Sequence, residues 1–112
     1  MDVRPINEEY AVSGQISPED LEEIKAAGYR SIVCHRPDDE QPGQPSFASV
    51  SAAAAELGLE ARHIPIGQTG VTAEAVQSMV DALDEMERPM LGYCRSGARS
   101  TACYQQTAHL RN

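Results

Sequence analysis

Seven consecutive residues carry the most evident chemistry: Cys94, Arg95, Ser96, Gly97, Ala98, Arg99 and Ser100. They lie between an apolar stretch at 89–93 and a helix-forming stretch at 100–110. A strand end feeding a helix N-terminus places several free backbone N–H groups around one point, and the helix dipole adds partial positive charge there. Gly97 permits the tight curvature such a cradle needs. Arg95 and Arg99 bring two fixed positive charges into an otherwise acidic chain. Each neighbour favours thiolate over thiol, so Cys94 is expected to have a depressed pKa and to be both nucleophile and floor of an anion pocket. A buried core thiol beside two surface arginines is the plainer alternative, since free cysteine is often buried. It leaves unexplained why Cys, Gly and two Arg meet at one strand-to-helix junction.

The elements that must position this loop can be read from short apolar runs alternating with helical patterns, the mark of α/β architecture with a mostly parallel sheet flanked by helices. Residues 10–13 form a first short strand. Ser17, Pro18, Glu19 and Asp20 then start a helix, with a Ser cap, Pro at the first position and Asp20 at the capping-box position. Leu21 and Ile24 continue it to a stop at Gly28. Further strands are predicted at 30–34, 60–66 and 89–93, and helices at 47–57, after the Thr72 cap, and at 100–110. Val76, Met79, Val80 and Leu83 make an apolar stripe that belongs to the core. The stretch 36–45 holds three prolines and is a long loop of the kind that often carries function.

Length and composition narrow the rest. The 112 residues fit one domain, 1–112, and 41% hydrophobic with 23% charged is ordinary globular usage. Nine basic against seventeen acidic residues give a net charge of −8, which disfavours general binding to nucleic acid or anionic lipid. There is no apolar run near the ~20 residues of a membrane span and no signal-peptide core, so a cytoplasmic location with no membrane partner is expected. Three cysteines make no secreted disulfide framework. His35, His63 and His109 are scattered, so neither a metal nor another cofactor is expected.

The loop from Cys94 to Ser100 resembles the active-site loop of rhodanese-type sulfurtransferases, in which Cys is followed by four residues and then Arg or Thr. Residues 12–16, the Pro18–Glu19–Asp20 helix start and residues 30–37 resemble the start of a dual-specificity protein phosphatase. Together they resemble the phosphatase-like domain of the bacterial beta-lactamase hydrolase-like proteins, some of which are named sulfurtransferases and others candidate phosphatases. The resemblance covers nearly the whole chain and implies a dual-specificity-phosphatase-like fold.

Two enzyme activities then compete. The phosphatases use Cys, five residues, then Arg, whereas Arg99 here follows four, and Ser100 stands where their Arg would be. A tighter ring suits a smaller species such as the outer sulfur of a persulfide. A phosphatase also protonates the departing tyrosine oxygen, whose pKa is about 10, with an Asp on a mobile loop. The corresponding segment, 67–71, holds no acid, although Asp38 or Asp39 could replace it. The expected activity is therefore sulfur transfer from thiosulfate or glutathione persulfide through a Cys94 persulfide, with glutathione, sulfite or cyanide as acceptor. A Cys94-based phosphatase is the alternative, and a non-catalytic anion- or partner-binding module a third reading.

Cys94 and Arg99 are the expected catalytic residues, with Arg95, Ser96, Gly97, Ala98 and Ser100 around the substrate. The N–H groups from about Arg95 to Arg99 would stabilise the persulfide, and Ser100 could donate to the Cys94 sulfur. Arg36 and Asp38 could border the pocket, or be a surface ion pair that holds the Pro-rich loop. Cys34 and Cys103 are expected in the core, with a resolving-cysteine role as the sharper alternative. His35 and His63 are expected to be loop and sheet residues. A persulfide dioxygenase acting in trans is the partner that the resemblance implies.

Overall fold

Five short strands that could not be stable alone find partners in one another. The computed structural model describes residues 2–111. In it β1 (Arg4–Pro5), β2 (Tyr10–Ser13), β3 (Ser31–Cys34), β4 (Glu60–His63) and β5 (Met90–Tyr93) form one sheet in the order β1-β2-β5-β3-β4. β1 runs antiparallel to β2, and all other neighbours are parallel. The mostly parallel sheet expected from the sequence is therefore present, with helices on both faces. α1 (Leu21–Ala26), after a 3-10 turn at Pro18–Asp20, and α2 (Phe47–Glu56) take one face. α3 (Ala73–Glu85) and α4 (Ala98–Gln106) take the other.

Strand alternation explains this layering. Val12, Val33 and Met90 point to the α3 and α4 side, where they meet Met79, Leu83 and Cys103. Ala11, Ile32 and Leu91 point the other way, to Leu21, Ile24, Val50 and Ala54. A strand buried on both faces reads as a continuous apolar run rather than an alternating one. The Val76–Leu83 stripe is buried as expected, each full burial of such a side chain contributing roughly 1.5–3 kcal/mol. The Thr72 side chain accepts from the Ala75 N–H at 3.1 Å and starts α3.

Three boundaries differ from the sequence reading. β1 was not anticipated, because two residues cannot show a pattern. The strand expected to reach Ile66 is assigned only to His63, yet the Ile64 and Ile66 N–H groups still bond to Cys34 and His35 carbonyls at 2.9 Å. Pro65 between them lacks an N–H, which an edge strand tolerates. The last helix starts two residues before Ser100 and tightens to a 3-10 turn at Thr107–His109. Among the described residues no helix is long and apolar enough to cross a membrane.

Candidate active site

Parallel strands deliver their C-terminal ends to one rim of the sheet, and ligands gather at such rims. Here four loops meet: Gly14–Gln15 after β2, Arg36–Glu40 after β3, Ile66–Gly70 after β4, and Cys94–Gly97 after β5. The register fixes this arrangement, since Cys34 and Ser13 both stand opposite Tyr93 on neighbouring strands.

Cys94 is 1% exposed and lies at the bottom of the last loop. The Gly97 N–H donates to its Sγ at 3.1 Å. Gly97 has φ 95°, the left-handed backbone that glycine adopts without strain, and it turns the chain directly into α4. Burial pushes the Cys94 thiol up, but the backbone N–H groups of Ser100, Ser96, Gly97 and Arg99 outweigh it and bring the pKa below the ordinary cysteine value. The anion cradle thus runs from Ser96 to Ser100 rather than from Arg95. Ser100 contributes its backbone N–H, while its Oγ is buried without a hydrogen-bond partner. The Ser96 Oγ accepts from the Ala98 N–H at 3.3 Å, which closes the outer curve of the loop.

Arg99 is held by a residue that the sequence did not single out. Its Nη1 and Nη2 reach the two carboxylate oxygens of Glu40 at 2.7 and 2.9 Å, and Nη1 also donates to the Ile66 carbonyl at 2.7 Å. A guanidinium has five N–H donors. Three are spent here, leaving the edge formed by Nε–H and one Nη2–H for an anion. The nearby Cys94 thiolate adds to the Glu40 contacts in raising the Arg99 pKa. Glu40 is pinned between Arg99 and Arg36, and together they lower its pKa to about 2.

Arg36 is not placed where the sequence suggested. It is buried, with Nε on Glu40 at 2.9 Å, Nη1 on Gln15 at 3.0 Å and Nη2 on Gln41 at 2.9 Å. It is 3% exposed and does not line the cavity beside the loop, so it braces Glu40 instead of meeting a substrate. Asp38 does not pair with it. The Asp38 carboxylate accepts from the Phe47 N–H at 2.8 Å, at the start of α2. Arg95 is exposed at the mouth, between a cavity of about 300 Å³ lined by Gly67, Gln68, Gly70, Ser96 and Arg99 and a second one on its β2 side. No carboxylate lines the first cavity among the described residues.

The other titratable candidates lie below this rim. Cys34 ends β3 with its Sγ on the Arg36 carbonyl at 3.3 Å, and burial pushes its thiol up. Cys103 is fully buried in α4, and burial pushes it up to about 11. His35 is fully buried with Nδ1 on the Ile64 carbonyl at 2.9 Å, and burial lowers its pKa to about 4. His63 sits in β4, stacked on Phe47.

Comparison with known proteins adds a lineage to this geometry. Residues 2–109 match the family described as beta-lactamase hydrolase-like protein, phosphatase-like domain. A beta-lactamase hydrolase-like protein of Xylella fastidiosa is 36% identical over 104 residues, which are 93% of this chain and 24% of that protein. The chain thus spans about a quarter of the length of the curated relatives it matches. The crystal structure of a candidate phosphatase from Neisseria meningitidis is 27% identical with a TM-score of 0.86, covering 100% of this chain and 81% of that one. Kinase-associated phosphatase, with its catalytic-site cysteine replaced by serine, is 16% identical at a TM-score of 0.71, covering 90% and 65%.

Proposed function

The chain belongs to the family of phosphatase-like domains of beta-lactamase hydrolase-like proteins, and on that footing we propose that it is a cysteine-nucleophile group-transfer enzyme acting on small anionic donors. Of the two chemistries open to it, we assign sulfur transfer. One observation carries this choice: Glu40, the one carboxylate among the described residues that reaches Arg99, is clamped between two arginines and held ionised to about pH 2. It has no proton to give. Asp38 is occupied at α2, and the cavity beside the loop is lined by Gly67, Gln68 and Gly70. A phosphatase acting on tyrosine or serine phosphates needs a general acid for the departing oxygen, whereas sulfite or a thiolate leaves as an anion.

In the proposed cycle the Cys94 thiolate attacks the sulfane sulfur of thiosulfate or glutathione persulfide. A new S–S bond forms, the donor S–S bond breaks, and sulfite or glutathione thiolate departs with the electron pair. The free edge of Arg99 holds the anionic donor, Arg95 attracts it at the mouth, and the N–H groups of Ser96 to Ser100 stabilise the charge on the bound persulfide. An acceptor (glutathione, sulfite or cyanide) attacks the outer sulfur and releases Cys94 thiolate. A persulfide dioxygenase in trans would consume the glutathione persulfide formed when glutathione accepts.

Similarity alone weighs the other way. The Neisseria protein, at a TM-score of 0.86, is described as a candidate phosphatase, and kinase-associated phosphatase shares the fold. This favours a second reading in which Cys94 takes a phosphoryl group and water removes it. With Glu40 kept ionised and Asp38 engaged at α2, such an enzyme would act best on esters whose leaving group is stable as an anion, such as p-nitrophenyl phosphate.

Intact-protein mass spectrometry separates the two, with wild type and Cys94→Ser each incubated briefly with thiosulfate or glutathione persulfide. A gain of one sulfur atom that an acceptor reverses, seen only with Cys94 present, is the expected result. Turnover by Cys94→Ser should fall about a thousandfold or more, as for loss of other catalytic nucleophiles. No sulfur gain, with p-nitrophenyl phosphate hydrolysed instead, would transfer the assignment to the phosphatase.

A further inference from the structure

A backbone N–H can point at a thiolate only if the carbonyl of the preceding residue, which shares its peptide plane, is turned away from it. In this loop the two carbonyls so placed, those of Arg95 and Ser96, are met by donors from the segment after β2 and from β1, while the Gly97 and Ser100 carbonyls are bonded within α4 and by β2. The Arg95 carbonyl accepts from the Gln15 N–H at 3.4 Å, and the Gly97 carbonyl from the Thr101 N–H and hydroxyl at 3.0 and 2.8 Å. The Ser100 carbonyl accepts from the Tyr10 hydroxyl at 3.3 Å. The shortest bond of this belt is made by Arg4 of β1, whose Nη2 donates to the Ser96 carbonyl at 2.5 Å. Two glycines fit the same packing. A Cβ on Gly14 would stand 2.9 Å from the Arg95 carbonyl, and one on Gly97 would collide with the Arg4 guanidinium.

From this arrangement we propose that Arg4 is a positioning residue for Cys94: it fixes the Ser96–Gly97 peptide with its carbonyl outward and its N–H inward. That peptide joins the bonded carbonyl to the Gly97 N–H, which reaches Sγ at 3.1 Å. A peptide unit is planar, so holding its oxygen on one side holds its N–H on the other. The positive charge of Arg4 polarises the same peptide and strengthens its N–H as a donor. The two-residue strand β1 therefore has a role beyond extending the sheet: its pairing of Arg4 with Val12 sets the guanidinium over the loop. The inference rests on Cys94 being a nucleophile but not on which group it transfers.

The test is the pH dependence of Cys94 alkylation by iodoacetamide in wild type, Arg4→Met and Arg4→Lys, read by mass spectrometry with melting curves alongside. Arg4→Met removes donor and charge, and should raise the thiol pKa by about one unit, making alkylation about tenfold slower at pH values below the wild-type midpoint. Arg4→Lys keeps the charge and a donor, and should recover part of the shift. An unmoved alkylation profile in a folded Arg4→Met protein would overturn the proposal. So would a Lys variant that recovers melting temperature but none of the thiol shift, because Arg4 would then only stabilise β1. Slow, uniform alkylation of Cys94 in the wild type would instead overturn its reading as a nucleophile.

Discussion

Cys94 and Cys103 lie at opposite ends of the same stretch of chain, one under the mouth of α4 and one within it, and are 1% and 0% exposed. Their thiols are nevertheless displaced in opposite directions. Cys103 packs among Met79, Leu83 and Met86, its Sγ 3.8 Å from the Ala75 carbonyl. A low-dielectric surrounding without donors penalises charge, and its pKa rises to about 11. Cys94 suffers the same desolvation but receives four backbone N–H groups, and its pKa falls. Burial therefore does not decide whether a cysteine of this fold is reactive. What decides is whether the surrounding backbone presents its donors or has spent them within a helix.

The widest break in that comparison is kinetic. At pH 7, iodoacetamide should alkylate Cys94 faster than Cys34 or Cys103 in the folded protein by about a hundredfold or more, since the thiolate is the reacting species. Peptide mapping after short labelling reads the three sites in one experiment. Comparable labelling of Cys103 would mean that the N–H cradle is not what separates the two environments.

Glu40→Gln tests how far the contrast depends on the clamp behind Arg99. Neutralising Glu40 leaves Arg36, which is 3% exposed, and Arg99 beside each other without their shared counter-charge. A loss of about 2 kcal/mol in stability is expected, as when one partner of a partly buried pair is removed, together with weaker binding of an anionic donor. The pH dependence has a definite sign. The Glu40 pKa is lowered from 4.5 to about 2 on folding, so its contribution is complete above pH 4.5 and is lost as pH falls towards 2. Urea melts of wild type and variant should differ at pH 7 and converge in acid. A gap that widens in acid would contradict this.

These partners also mark the limit of what the sequence made legible. The strand-loop-helix unit from Met90 to Gln106 is contiguous, so its apolar run, glycine and cysteine could be recognised together. Glu40, Gln15 and Arg4 come from other loops and strands, and only the sheet order brings them to Cys94. Among Asp38, Asp39 and Glu40 nothing in the sequence favours the last. The left-handed backbone at Asp39, φ 62°, helps shape the turn in which Asp38 caps α2 and Glu40 returns to Arg36. Asp is among the few residues that adopt this conformation readily, a signal that is suggestive only once the turn is known. The spacing Arg36 to Glu40 could have hinted at a pair, but residues four apart meet regularly in helices, and this segment is a loop.

The smallest effect is expected at the inert end of the comparison. Cys103→Ala removes one buried sulfur from the α3–α4 contact and should cost about 1 kcal/mol, within the range for small core deletions. The Cys94 alkylation profile should not move, because Cys103 gives nothing to the cradle and its thiol stays protonated at neutral pH. Melting curves and pH-dependent labelling of the variant check both halves of this statement. A shift in the Cys94 midpoint without a larger loss of stability would mean that the packing under α4 helps to hold the loop N–H groups in place, and that the two cysteine environments are mechanically joined.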